Sequence, residues 1–440
     1  MSEDTCYTRV IIEGELTALS DLHVGAATQA LPEGEEPVGN DIMLDCMEQP
    51  YIPGSSLRGL LRALIGAGSP AGISLFGQAR LTEEEKAGKL RVYDARVIQR
   101  VALVTRSRIK KNPVTATAED KHLIHDQVVP RDSRFLVRLQ ADGIRKSEVK
   151  ILLQALQCLG SGSPDARLGA GKSIGRGHIR WRALDMLGLD SEAFEKWLDS
   201  DDALEEAGWV SIELPEDEMV SEYEQWCLRF VFDEPVLIND PGNKGEPDLR
   251  YLREDNRLLI TGASLKGLFR ARARRILMTI ASGSVRVDSL VDEMFGSADG
   301  ISRWFFDDIL AQITEVHQQT IIAVDRFTGG VKAGAMLNLE AAVAAPAEAV
   351  VSAHIEIPGW QKLIWLYCLR DAMEGDLNIG WGAARGFGAF QVEFMNEDGK
   401  PVEWAVLLAQ YEPQITEWDR KLQEKLTETD KEETGEEAAA

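Results

Sequence analysis

The chain has 440 residues, a formal net charge of −24 and 44% hydrophobic residues, the composition of a folded protein of two or three domains and not of a disordered or collagenous one. No apolar run is long enough to span a bilayer, and the acidic N-terminus lacks the apolar stretch of a secretory signal. Five cysteines without a C-x-x-C pair speak against a disulfide framework or an all-cysteine zinc site, so a reducing cytoplasm is the expected compartment.

The charge is unevenly spread. From Asp185 to Glu224 there are 15 acidic residues against one basic, and from Tyr411 onward 10 against 4. Arg91 to Arg180 instead carries 18 basic and 8 acidic residues. A basic stretch inside an acidic protein points to a polyanion site.

In chain order, an alternating strand is predicted at Val10–Leu16, then a loop, then a helix opening at Gly54-Ser55-Ser56-Leu57-Arg58-Gly59, which Ser55 or Ser56 can cap. A polar stretch at 98–131 is long for a loop and reads as a functional excursion. A strand and helix reaching Leu159, a loop with Gly169, Gly171, Gly175 and Gly177, and a final strand at Gly177–Trp181 complete the set. The series then repeats. A strand at Cys227–Phe232 precedes Gly262-Ala263-Ser264-Leu265-Lys266-Gly267, a polar stretch at 310–346, a helix at Trp360–Met373 and a loop with Gly380, Gly382, Gly386 and Gly388. Val92-Tyr93-Asp94 matches Phe305-Phe306-Asp307. The chain is therefore a tandem duplication, and strand–helix–strand twice per half is the ferredoxin-like order. The α+β expectation is two such domains, 1–184 and 225–400, with an acidic linker at 185–224 and an acidic tail at 401–440.

The repeated helix start offers amides and a dipole that favour a phosphate, with Arg58 or Lys266 one turn in. Leu168-Gly169-Ala170-Gly171-Lys172-Ser173 is not a nucleotide-binding P-loop, because Ala166 stands where that motif needs glycine. It reads instead as a loop whose amides approach a polynucleotide phosphate, or as a tight turn. His122 and His125 lack a cysteine pair to complete a zinc site. His23, after the first strand, is as well explained by a structural role as by a nucleic-acid contact.

Pro53 to Gly59, with the two glycine loops, resembles the RAMP superfamily and more narrowly the fused backbone subunits of type III CRISPR–Cas effector complexes. The resemblance implies modified RNA-recognition (RAMP) domains with thumb hairpins, here about 97–132 and 309–347, that interrupt a guide–target duplex at six-nucleotide steps. It implies guide RNA, complementary target RNA and other effector subunits as partners. It further implies an endoribonuclease in which a loop aspartate, with Mg²⁺ or another divalent metal, cleaves the target RNA. That aspartate, also the metal ligand, falls on Asp41 (Asp45 nearby) and on Asp248, with Asp240 as the fallback. RNA contacts are expected from His23, Ser55, Ser56, Arg58, Arg62, Ser264, Lys266 and Arg270, and from Arg106, Arg108, Lys110, Lys111 and Arg326 at the thumbs. The glycine loops add Gly171, Lys172, Ser173, Arg176 and Arg385. Thr261 in place of the motif proline departs from the pattern. A scaffold without chemistry and a guide-processing ribonuclease are the competing readings.

Overall fold

Strand β1 (Cys6–Ala18) organises the first half because its residues alternate: Val10, Ile12 and Leu16 are buried against helices, whereas Arg9, Ile11 and Glu13 are turned the other way. The structure, a computed structural model, describes residues 6–25, 42–77, 87–111, 118–200, 207–217, 219, 221–240, 242–243, 245–281, 286–297 and 300–427. It divides into two units, Met1–Glu222 and Tyr223–Ala440.

In the first unit β1 is followed by β2 (Tyr51–Ile52), α1 (Gly54–Ile65), α2 (Pro70–Phe76), β3 (Leu90–Val92), β4 (Ala95–Val97), β5 (Val104–Lys111), β6 (Ala118–Val128) and β7 (Arg134–Arg145). Then come α3 (Lys146–Cys158), β8 (Ile179–Asp190), α4 (Ser191–Leu198) and β9 (Val210–Ser211). The sheet runs β2-β4-β7-β1-β8-β9, antiparallel at each pairing, with β3 also on β7. Its central order is the ferredoxin-like one, and α1 and α3 bury Leu57, Leu60, Leu61, Val149, Leu152, Leu153 and Leu156 on one face. The polar stretch becomes the separate β5–β6 hairpin.

The acidic segment is not a free linker. β8 continues six residues past 184, and Gly188 lets the Tyr7 ring lie where a Cβ would come within 2.6 Å of it. β9 pairs with β8, Lys150 pairs with Asp217 at 2.7 Å and Gln157 donates to Pro215 O at 3.0 Å. The segment packs on the first unit because apolar residues such as Leu189 continue the strand pattern among the carboxylates.

The second unit repeats the plan with β10 (Tyr223–Phe232), β11 (Leu249–Arg250), β12 (Arg253–Glu254), β13 (Arg257–Ile260), α5 (Gly262–Ile280), α6 (Val287–Phe295), β14 (Trp304–Phe306), β15 (Ile309–Val324) and β16 (Val331–Ala344). It ends with β17 (Ala347–His354), α7 (Gly359–Met373), β18 (Phe390–Met395), β19 (Pro401–Val402) and α8 (Trp404–Thr427). The sheet order β14-β17-β10-β18-β19 matches the first unit, and the long β15–β16 hairpin carries its own sheet, β11-β16-β15-β13-β12. Among the described residues no helix is long and apolar enough to cross a membrane.

The expected tail also folds, as α8 over residues 404–427. Helix α7 is buried nearly all round, through Trp360, Leu363, Ile364, Trp365, Leu366, Cys368 and Leu369, because the sheet takes one side and α8 packs against it as well. Tyr411 of α8 stacks on Trp226 at 5.9 Å and donates to Glu224 Oε1 at 2.9 Å; burial and that carboxylate push its phenol up. Only 428–440 of the acidic end lies outside the described residues.

Gly359 lies under the Trp418 indole, where an added Cβ would sit 2.1 Å from the ring. Gly359→Ala should therefore lower unfolding stability by about 2 kcal/mol through overpacking, read as a lower urea midpoint with the same slope.

Glu148, 2% exposed, closes the first turn of α3. Burial raises its carboxyl, but the Arg145 side chain and amide, Ser74 and Lys89 outweigh this and hold it at about 2, against 4.5 for an ordinary glutamate. A depressed folded value stabilises fully above the unfolded value and is lost as pH falls. Unfolding midpoints should thus drop between pH 4.5 and about 2, and Glu148→Gln should flatten that drop in a pH series of urea titrations.

Candidate nucleic-acid interface

In a ferredoxin-like unit the loop after the first strand, the hairpin and the loop before the last strand meet at one edge of the sheet. Backbone contact locks that edge. In the first unit Ala170 N–H donates to His23 O and Gly177 N–H to Asp21 O, each at 2.9 Å, while Leu168 N–H donates to Gly177 O at 2.8 Å. In the second, Trp381 donates to Leu237 O at 2.7 Å, Gly388 to Pro235 O at 2.9 Å and Ile379 to Gly388 O at 2.8 Å. A Cβ on Gly169 would lie 2.2 Å from His23 O, and one on Gly380 2.4 Å from Leu237 O; both residues have φ above +80°. The glycine pattern is therefore required by close approach of two backbone segments. At its apex each loop presents one cation. Lys172 is half-buried and its ammonium is pushed down by burial, with Arg167 adding to this. Arg385 is exposed and lies over the Trp381 ring at 5.0 Å. Gly171 and the half-buried Ser173 flank Lys172.

Several residues expected on RNA instead hold the first hairpin down. Arg106, 8% exposed, meets Asp21 through Nε at 2.7 Å and Nη2 at 3.2 Å. Asp126, fully buried, takes Arg176 at 2.7 Å and Arg108 at 2.8 Å. His23 Nδ1 lies 2.8 Å from Gln127 O, so that nitrogen carries the proton. Arg106, Arg176 and His23 thus form a structural clamp, since a buried guanidinium without a carboxylate would be costly; Arg108 stays partly open. Lys110 and Lys111 lie on β5 beyond the clamp, with side chains outside the described residues. The second hairpin is built differently. At its turn, Asp325 accepts the amides of Phe327 and Thr328, both at 2.9 Å, and Arg326 and Phe327 are exposed, Phe327 by 99%. The Thr328 and Phe327 amides hold the Asp325 carboxyl below its ordinary value.

The signature helices are capped from a distance. Gly54 N–H donates to Asp94 Oδ1 and Gly262 N–H to Asp308 Oδ1, both at 2.7 Å. Neither Ser55 nor Ser56 caps α1; in α5 Thr261 does, accepting from Ser264 N–H at 3.3 Å. The sequence match of Asp94 with Asp307 is thus one residue off. Arg58 reaches inward, donating to Leu90 O at 2.6 Å and Phe76 O at 2.7 Å, and is a strut more than an open phosphate contact. Arg270 plays the same part in α5 through Gly296 O at 2.8 Å and a pair with Asp292. Arg62 and Lys266 are half-buried on these helices, and Ser264 contacts Thr261.

Asp41 lies outside the described residues, which resume at Ile42. Ile42 bridges Gly25 and Met43 N–H donates to Val24 O at 3.0 Å; in the second unit Tyr251 bridges Asn239 and Leu252 N–H donates to Ile238 O at 2.7 Å. Ile42 therefore corresponds to Tyr251; Arg250, just before it, pairs with Glu340 at 2.8 Å. Asp248 stands two residues earlier, exposed, its Oδ2 accepting from Asn338 N–H at 2.8 Å. Asp240 Oδ1 accepts from Gly242 N–H at 2.9 Å. Asp45 accepts from the Met47 and Gln49 amides, which hold its carboxyl below the usual range, Gln49 most strongly. Asp45 and Asp240 are turn residues.

Sequence reasoning missed Asp21, Asp126 and the capping pair Asp94 and Asp308. A repeated aspartate just after the strand that follows each signature helix was the available signal. Asp126→Ala should cost about 3–5 kcal/mol by stranding Arg176, and limited proteolysis should then cut the β5–β6 hairpin sooner than in the parent protein.

No curated protein matches the chain. The family model of the RAMP superfamily matches residues 15–180 and 229–391, one match per unit and more than half of the chain. That family is associated with CRISPR-type RNA-binding subunits and includes some endoribonucleases. Both matched regions carry the loop, helix and hairpin edge described above, and the chain is a member of the RAMP superfamily with two of its units in tandem.

Proposed function

We propose that this chain is a double backbone subunit of a type III CRISPR effector complex, holding guide RNA along the loop–helix–hairpin edge of each unit and cleaving complementary target RNA. The observation that carries this is the same edge built twice, with glycines required at the same close approaches and one apical cation per loop. The cytoplasm and neighbouring effector subunits follow from the same reading.

Cleavage needs little machinery. A 2′-hydroxyl held in line attacks the adjacent phosphorus, the 5′-oxygen leaves, and positioning supplies most of the rate. Asp41 is the proposed catalytic carboxylate of the first unit, accepting the hydroxyl proton. Among the described residues no three His, Cys, Asp or Glu side chains converge as a metal site. In this reading a divalent ion would be held by Asp41 together with oxygens of the RNA and would polarise the attacked phosphate.

In the second unit Asp248 accepts the Asn338 amide and Asp240 the Gly242 amide, which supports the scaffold reading for that half. Asp41→Ala should abolish target cleavage and leave guide and target binding intact, whereas Asp248→Ala and Asp240→Ala should leave the products unchanged. The measurement is mapping of cuts in labelled target RNA by the assembled complex, with a 2′-deoxy substitution at the cut nucleotide as the chemical control. Cutting that survives Asp41→Ala would sink the assignment, and loss of a second cut six nucleotides away in Asp248→Ala would make the second unit catalytic too.

A further inference from the structure

The face of the first sheet turned away from α1 and α3 is open and rich in arginine. Register sets its rows: Arg96–Leu136–Glu15–Arg182 across β4, β7, β1 and β8, and Arg134–Thr17–Arg180 beside it. Arg138 opposite Glu13 and Arg91 opposite Gln140 extend it away from the loop edge. The side chains of Arg91, Arg138 and Arg182 are 67%, 50% and 68% exposed. Their ion pairs are long: Arg138–Glu13 at 3.5 Å, Arg182–Glu15 at 3.5 Å, Arg134–Glu15 at 3.7 Å and Arg91–Asp142 at 3.9 Å. The Arg138–Glu13 and Arg91–Asp142 pairs lie at the surface, where such pairs are worth little, whereas Arg134 and Arg182 share the buried Glu15 while their own side chains stay 42% and 68% exposed. Arg96 and Arg180 are exposed and have no carboxylate within ion-pair distance among the described residues.

The second unit is an internal control. Its register places Arg229 where Glu15 stands, Glu348 where Leu136 stands and Glu393 where Arg182 stands. Arg229 is bracketed by Glu348 at 2.9 Å and Glu393 at 3.6 Å. Pro346, Val350 and Gln391 take the places of Arg134, Arg138 and Arg180. The same fold therefore does not require these arginines, and their presence on one copy marks a function of that copy.

We propose that this face of the first unit binds the sugar–phosphate backbone of a single RNA strand. Side chains two apart on a strand, as Arg180 and Arg182 are, recur about every 7 Å, a pitch close to that of phosphates along an extended strand, and Arg134 and Arg138, four apart, stand about two such steps from each other. Tyr93, 42% exposed and within 5.9 Å of the Arg138 guanidinium, gives a base one ring to lie against. The rows start at the edge already assigned to RNA, so the face continues that path. The inference rests on the RNA-binding reading above, though not on cleavage or on Asp41.

The test uses the full chain and an unstructured labelled oligouridylate, titrated from low to high salt. Combined Arg96→Gln, Arg180→Gln and Arg182→Gln should reduce the slope of log affinity against log salt by about 2 and weaken binding roughly 10- to 100-fold at 0.15 M. The same three positions changed to Lys should keep the parent slope, since a phosphate reads charge, and Arg229→Gln should change nothing. Parent-like binding by the triple Gln variant overturns the inference and leaves the edge as the RNA site. Loss of a co-purifying acidic protein with unchanged RNA affinity also overturns it, making the face a protein interface. No RNA binding by the parent chain overturns both readings.

Discussion

Everything at the functional edge depends on one close approach. The glycine loop lies against the segment that follows the first strand, backbone to backbone, with no room for a single carbon between them. This contact fixes where the chain leaves β1 and where β8 begins, and so fixes the hairpin between them. It also explains why the repeat preserves glycines while the apical residues drift from Lys172 in one copy to Arg385 in the other. Steric exclusion is less forgiving than charge, which can be supplied from neighbouring positions.

Around that contact the two units use different means to the same end. The first pins its hairpin with ion pairs between residues far apart in sequence, Asp21 with Arg106 and Asp126 with Arg176. The second gives its hairpin a supporting sheet of short strands, to which Arg250 of β11 adds an ion pair with Glu340 of β16. A strut to the end of the following helix likewise comes from Arg58 in one copy and from Arg270, a turn further along, in the other. The duplicated halves keep interactions more faithfully than residues.

That drift marks what could be read from the sequence. The strands, signature helices and glycine loops were legible because hydrophobic period and forced glycines are local signals, and the tandem order gave the ferredoxin-like plan. The roles of the charged residues were not legible. An arginine in a basic stretch looks alike whether it faces solvent or a carboxylate 85 residues away, as Arg106 does. The acidic segments misled for a similar reason: their carboxylates obscured the apolar spacing that lays β8 along β1 and α8 against α7. The slip from Asp307 to Asp308 shows the limit at the level of single residues, since a repeat aligned by letters alone cannot say which carboxylate reaches Gly262.

The bare Phe327 at the end of the second hairpin has a mechanical meaning. The last rung held by a neighbouring strand pairs Gln319 with Leu339, which in turn lies beside Leu249. Beyond it the ribbon runs on for five residues to Val324 and then the turn, a cantilever of about 20 Å. A tilt of about 10° at that rung carries the ring through about 3 Å, roughly one residue rise along a strand. Torsion at the root is therefore magnified at the tip, and the pairing of Leu249–Arg250 with β16 is what resists it.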